Sequence, residues 1–386
     1  MKNLKLILYS VFLIILITGC SNLEDIQETD KEREEIIEED YIIEFIYDHL
    51  ESPWGISFID NNQLLITERI GNLLLVNLEK DKKVKIENIP EVDPSGQGGL
   101  LDVEYYENYV YITYSARNGD GSATHLGKGY LNKENNRLDD FKILHIAEPF
   151  MHSGAHYGSR VIIKDDYVFY STGDRGQKDF GYEHVSQDTT NYLGTTIRLY
   201  KNGTIPKDNP FVNDPNVLNG IYTYGHRNIQ GMTLNPITNE IWTSEHGERD
   251  GDEINVLISG ENYGWPIAHY GCEYGTDNLV AEYLYEIENV VHPKFYWECG
   301  SGGFPPAGMT FYYGDKFEDW QGNLFLGGLA SEYLARFIVN KNEVIETDGL
   351  FKDKSWRIRD VQESPDGYLY VLVDGNPGKL IKIKPN

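Results

Sequence analysis

Short apolar strands alternate with turn-forming clusters along the chain, and one pattern recurs. It runs from small or polar residues into an apolar strand, through a turn, and into a second apolar strand. The pattern occurs at 53–68 (PWGISFIDNNQLLITE), 97–114 (QGGLLDVEYYENYVYITY), 155–172 (AHYGSRVIIKDDYVFYST), 227–244 (RNIQGMTLNPITNEIWTS), 306–328 (PAGMTFYYGDKFEDWQGNLFLGG) and 357–373 (RIRDVQESPDGYLYVLV). Turn chemistry such as Asp60-Asn61-Asn62 and Pro365-Asp366-Gly367 separates the paired strands. The repeats start about 45 to 80 residues apart. A four-stranded propeller blade takes about 40 to 50, so the wider intervals hold loop insertions. Six units predict an all-β, six-bladed β-propeller with four-stranded blades over residues 41–386. The strand at 41–47, YIIEFIY, would close the ring against the last blade. A β-sandwich with a second domain competes, but no helical period of useful length follows residue 40, which favours the propeller.

Residues 1–40 follow a different pattern. Lys2 and Lys5 precede an apolar run, LILYSVFLIILI at 6–17, shorter than the roughly 20 residues of a membrane span. The run ends in ITGC, which resembles a bacterial lipobox. Residues 1–19 therefore read as a lipoprotein signal peptide with lipid on Cys20; a plain signal peptide is the alternative. Residues 20–40 are strongly acidic and read as a solvated tether, with a short helix as the competing form. The expected location is extracytoplasmic, held to a bacterial membrane through Cys20 alone. Beyond Cys20 only Cys272 and Cys299 remain. An oxidising compartment would permit them to pair, and sequence alone leaves that open.

Composition adds two constraints. With 28 Tyr and 38 Gly, the chain suits turn-punctuated β structure. Its formal charge of −27 argues against a nucleic-acid role, which would call for a basic face.

The first strand of each propeller blade lines the central channel, so residues at its head crowd one mouth. Those heads carry Gln97, His156, Arg227 with Asn228, and Arg357 with Arg359. Burying such a ring without a ligand is costly, and converging cations point to a polycarboxylate ligand. Arg357 and Arg359 lie two apart on one strand face and would repel unless an anion sits between them. Asp360 or another acid could fill that role. Arg227 and Asn228 would both face the mouth if their glycine-flanked head bulges.

The stretch MHSGAHYGSRVIIK at 151–164 holds two histidines four apart. A metal pair at that spacing needs a helix, and Gly154 and the following strand remove it. His156 is left as a channel-facing residue and His152 as a bystander in the preceding loop. Asp174, in YSTGDRG, could return to hydrogen-bond His156 and prepare it as a general base; a plain turn role competes on local grounds. The segment SEHGERDGDEINVLISGENYGWP at 244–266 is dense in carboxylates and glycines. It resembles a hard-cation site, but on local grounds a solvated acidic loop explains it better.

The motifs PWGISF, TERIGNL, GQGGLLDV, GHRNIQGM, DEIN, NYGWP, GMTFYYGDKF, GNLFLGGLA and RIRDV with PDGYLYVLVD stand in the order of the soluble quinoprotein sugar dehydrogenases. The chain resembles their aldose sugar dehydrogenase branch from about residue 49 onward. The resemblance implies a six-bladed propeller using pyrroloquinoline quinone (PQQ) and calcium to oxidise the C1 hydroxyl of aldoses to lactones. His156 would be the base and Asp174 its orienting partner. Gln97, Arg227, Asn228, Arg357 and Arg359 would hold PQQ, with Tyr274 against the quinone. The carbonyls of Gly247 and Glu248 would bind the calcium at the cofactor, and Glu253 and Tyr263 a second, structural calcium. Two positions depart from the glucose dehydrogenase branch: Ala330 stands where that branch has Lys, and Glu248 where it has Pro. No Cys-x-x-Cys-His motif occurs, so electrons would leave to an external acceptor. A non-catalytic binding propeller and a calcium-dependent propeller lactonase are the competing functions.

Overall fold

The strand–turn–strand repeats become the two innermost strands of six blades. The computed structural model describes residues 33–281, 287–341 and 343–386. The inner strands are Pro53–Asp60, Leu100–Tyr106, Val161–Lys164, Ile229–Leu234, Pro306–Phe311 and Ile358–Glu363, and they head blades 1 to 6. Each abuts the next, and the last abuts the first, so the ring is closed. Blades 1 to 5 are four-stranded antiparallel sheets built from consecutive strands. Blade 6 takes its outer strand from the other end of the chain: Tyr41–Leu50 pairs with Gly378–Pro385, in a register that sets Ile43 opposite Ile383. The closing strand expected at 41–47 is there.

The signal peptide, Cys20 and the first part of the expected tether lie outside the described residues. The far end of that tether departs from expectation: Glu35–Ile37 forms a fifth, edge strand on blade 6, with Ile36 opposite Ile43. The reason lies in Ile36, which packs against the core cluster shared by blades 5 and 6 and so is drawn out of solvent.

The core is six wedges rather than one centre. In blade 1, Leu64 and Ile66 point toward Tyr370 and Leu372 of blade 6, while Leu65 between them points toward Leu100 and Val103 of blade 2. Side chains alternate along a strand, so a sheet packed on both faces needs apolar residues at every position. This is why QLLITE and YVYITY read as unbroken apolar runs.

Arg160 ties the wedges together at the axis. Its Nη1 lies 3.1 Å from both Asp102 and Asp360. Its Nε donates to Gln230 O at 2.6 Å and its Nη2 to Arg359 O at 3.1 Å. The two carboxylates also accept backbone N–H bonds from Val161 and Ile56. Gly308 leaves the room for Asp360: a Cβ there would meet its Oδ1 at 1.7 Å.

The widest repeat intervals hold the expected insertions. One separates Ser171 from Thr196 in blade 3, and another separates Val256 from Phe295 in blade 4. Cys272 and Cys299, left open by sequence, form a disulfide across the second.

Candidate active site

An antiparallel hairpin brings the head of its first strand beside the tail of its second. In blade 1 Pro53 pairs with Glu68, in blade 4 Ile229 with Glu245, and in blade 6 Ile358 with Val373. Residues just past the second strands therefore share the mouth with the strand heads. They are Arg69, His246 and Asp374, and all three line one cavity of about 280 Å³ together with Gln97, Asn228, Arg357 and Arg359. Trp54, Leu101 and Tyr157 pack together as its apolar floor. Reading strand heads alone missed Trp54, Arg69, His246 and Asp374; reading hairpin tails as well would have found the last three.

The expected anion between Arg357 and Arg359 is Asp374, at 3.5 Å from Arg357 Nε and 3.1 Å from Arg359 Nη2. Asp360 does not fill that role, because Arg160 holds it. Arg359 is almost fully buried, and its Nε has no hydrogen-bond partner.

His156 is not part of an inner strand. It lies five residues ahead of Val161 in a loop, with φ of +47°. The glycines and Ser around it break the strand before it starts. The loop nevertheless delivers the ring to the mouth: the His156 N–H donates to Gln97 Oε1 at 2.8 Å, and the neighbouring Gly158 N–H donates to Asn228 Oδ1 at 3.0 Å. His156 Nδ1 lies 2.6 Å from Asp174 Oδ1. Asp174 is fully buried and also accepts from Gly176 N–H at 2.8 Å and Trp265 Nε1–H at 2.9 Å. With Nδ1 committed to the carboxylate, Nε2 carries the lone pair. Burial lowers the His156 pKa, against the raising effect of Asp174, and Arg227 and Lys178 lower it further. Burial acts to raise Asp174, but the His156 bond and the Arg227 charge outweigh it and hold Asp174 below its usual range. The result is a neutral imidazole beside an ionised carboxylate, the state a general base requires.

Arg227 sits beside the cavity rather than in its lining. Its Nη2 meets Glu248 Oε2 at 2.7 Å, its guanidinium lies 5.1 Å from the Trp265 ring, and its Nε is buried without a partner. The bulge expected at 227–228 falls instead between Ile229 and Gly231. Tyr274 is exposed at the rim, with Lys178 Nζ 5.5 Å from its ring.

The residues expected around calcium fall in two places. Gly247 and Glu248 follow the second strand of blade 4, and neither carbonyl accepts a hydrogen bond among the described residues. Glu253 is buried on the next strand, where its Oε2 accepts from Asn255 Nδ2 at 3.1 Å, while Asn255 Oδ1 is buried without a partner. The Tyr263 hydroxyl is already engaged, donating to Val256 O at 2.5 Å and accepting from Ile258 N–H. Among the described residues no three His, Cys, Asp or Glu side chains converge as a metal cluster.

Comparison with known proteins agrees with this fold. The profile of the glucose/sorbosone dehydrogenase family matches residues 50–382. Aldose sugar dehydrogenase YliI of Escherichia coli is 36% identical over 351 residues, covering 89% of this chain and 92% of its own. A crystal structure of the soluble aldose sugar dehydrogenase from E. coli in the apo-form superposes with a TM-score of 0.83 at 36% identity, over 89% of this chain and 99% of that one. Quinoprotein glucose dehydrogenase B of Acinetobacter calcoaceticus is 29% identical over 77% of this chain and 66% of its own. The PQQ-bound form of an aldose sugar dehydrogenase from Streptomyces coelicolor shares the fold, with a TM-score of 0.70 at 22% identity over 89% of this chain and 96% of that one. A chain matched over nearly its whole propeller, with the site's arginines and histidine gathered at one mouth, belongs to the glucose/sorbosone dehydrogenase family.

Proposed function

We propose that this protein is a PQQ- and calcium-dependent aldose dehydrogenase that oxidises the C1 hydroxyl of aldoses to lactones. The observation that carries the reading is a cation-lined cavity bordered by a carboxylate-backed histidine. The residues suit both cofactors. Arg227 and Arg359 each keep a buried Nε without a partner, as groups awaiting an anion do. PQQ is a tricarboxylate, and Arg227, Arg357, Arg359, Gln97 and Asn228 would hold it, with Tyr274 at the rim. The unbonded carbonyls of Gly247 and Glu248 suit a hard cation. Glu253, with the unpartnered Asn255 Oδ1 beside it, suits a second, to which Tyr263 could add its carbonyl. When bound, PQQ supplies the two-electron acceptor for the C1 hydride, and calcium supplies Lewis acidity.

The chain's own contribution is positioning and proton transfer. His156 Nε2 takes the proton of the C1 hydroxyl as the hydride leaves carbon. Asp174 fixes the ring orientation and stabilises the imidazolium that forms. The side chain of His156 is 12% exposed, enough for substrate to reach it. Electrons then pass to an external acceptor. The lactonase reading is disfavoured because the axial carboxylates Asp102 and Asp360 are committed to Arg160 and to backbone donors.

The protein would work outside the cytoplasm, anchored by lipid on Cys20. The Cys272–Cys299 disulfide supports an oxidising compartment. Mass spectrometry of the N-terminal peptide tests the lipid. For the enzyme, purified protein given PQQ and calcium should reduce an artificial dye in the presence of aldose. No dye reduction, together with no PQQ-dependent rise in melting temperature, would overturn the reading.

A further inference from the structure

The insertion in blade 3 places Lys178 at the rim of the mouth, its side chain 55% exposed. Its ammonium contacts Glu248 Oε1 and lies near the faces of Phe180 and Tyr274, at 5.7 and 5.5 Å from their ring centres. Glu248 is nearly buried, and its second oxygen holds Arg227 Nη2. The three residues form a line of charges, positive, negative and positive, running from solvent to the buried guanidinium.

That line has a consequence for anion binding. A buried guanidinium paired with a carboxylate is close to neutral, and an incoming anion meets the carboxylate's repulsion as well as the guanidinium's attraction. A second cation on the far oxygen restores a net positive charge. We propose that Lys178 is a positioning residue that sets the affinity of Arg227 for a carboxylate ligand, by neutralising and orienting Glu248. The ligand is the PQQ of the preceding section, so the inference rests on that reading. Lys178 acts through Glu248 and does not touch the cofactor.

The test is a double-mutant cycle on the dissociation constant of PQQ, measured with calcium by equilibrium dialysis, so that turnover is not needed. Lys178→Met should weaken binding about tenfold, equivalent to about 1.4 kcal/mol. Lys178→Arg should restore the wild-type value. In a Glu248→Gln background, Lys178→Met should weaken binding by much less than tenfold, because only the solvent-screened attraction of the exposed ammonium remains; Glu248→Ala serves as a second background should the first not fold. An unchanged constant in the Lys178→Met single variant overturns the inference. So does a tenfold loss that persists in both Glu248 backgrounds, which would mean direct contact with the ligand. Failure of the wild-type protein to bind PQQ at all removes the functional reading, and the inference with it.

Discussion

Two sets of buried arginines in this propeller are treated in opposite ways. Arg160, at the axis, faces two carboxylates and two carbonyls, and stacks 4.2 Å from Trp54. Arg227 and Arg359, at the mouth, each have one carboxylate, and each keeps a buried Nε with no acceptor. Burying a donor without a partner costs roughly 1–3 kcal/mol, a penalty the fold could avoid and does not. Full satisfaction marks an arginine that holds the ring together. Partial satisfaction at the mouth suits the ligand-holding role proposed for Arg227 and Arg359.

Four experiments would break or sharpen that contrast. The largest effect is expected at His156, which is satisfied at Nδ1 and open at Nε2. With PQQ and calcium, His156→Ala should lower kcat by about 10²–10⁴ while PQQ binding persists; unchanged turnover would remove His156 from the chemistry. Next is Arg160→Met, which leaves Asp102 and Asp360 buried and facing each other. Chemical denaturation should register a loss of about 3–5 kcal/mol, as for other broken buried pairs. Arg359→Met should behave oppositely, with unfolding free energy within about 1 kcal/mol of wild type and PQQ affinity down at least tenfold. A large destabilisation there would erase the distinction between the two sets. The smallest effect concerns pH. The folded His156 pKa lies below that of a free imidazole, so the base remains deprotonated as pH falls through about 6.5. The pH–rate profile should hold its plateau below that point and drop only at more acid values. A drop centred at or above 6.5 would contradict the role of burial, Arg227 and Lys178.

Much of this was legible in the sequence, for identifiable reasons. The sixfold recurrence survives as the inner hairpins because strand–turn–strand chemistry is local. The contact between His156 and Asp174 was legible as one of two local options, because Asp174 follows the strand after His156 and can return to it, while a plain turn role competes. The sharing of one anion by Arg357 and Arg359 follows from two-residue periodicity. What escaped depends on pairing between strands. Arg69, His246 and Asp374 reach the mouth only because antiparallel register lays a strand's tail beside its neighbour's head. His156 stands in a loop with positive φ rather than on a strand, a backbone choice that periodicity does not report. Glu248 was read for its carbonyl, and its side chain's hold on Arg227 appears only once a loop from blade 3 and a tail from blade 4 are brought together.

The pairing of Tyr41–Leu50 with Gly378–Pro385 makes the last blade a clasp between the two ends of the polypeptide. Until Gly378–Pro385 has been synthesised, a nascent chain can assemble five complete blades but not the sixth. Ile43 and Ile46, which end at 0% and 6% exposure, are left without the strand that covers them. Completion of blade 6 therefore waits for that strand. A chain that stops before Gly378 leaves Leu369–Val373 and Tyr41–Leu50 as unpaired edges, which are templates for pairing with other chains.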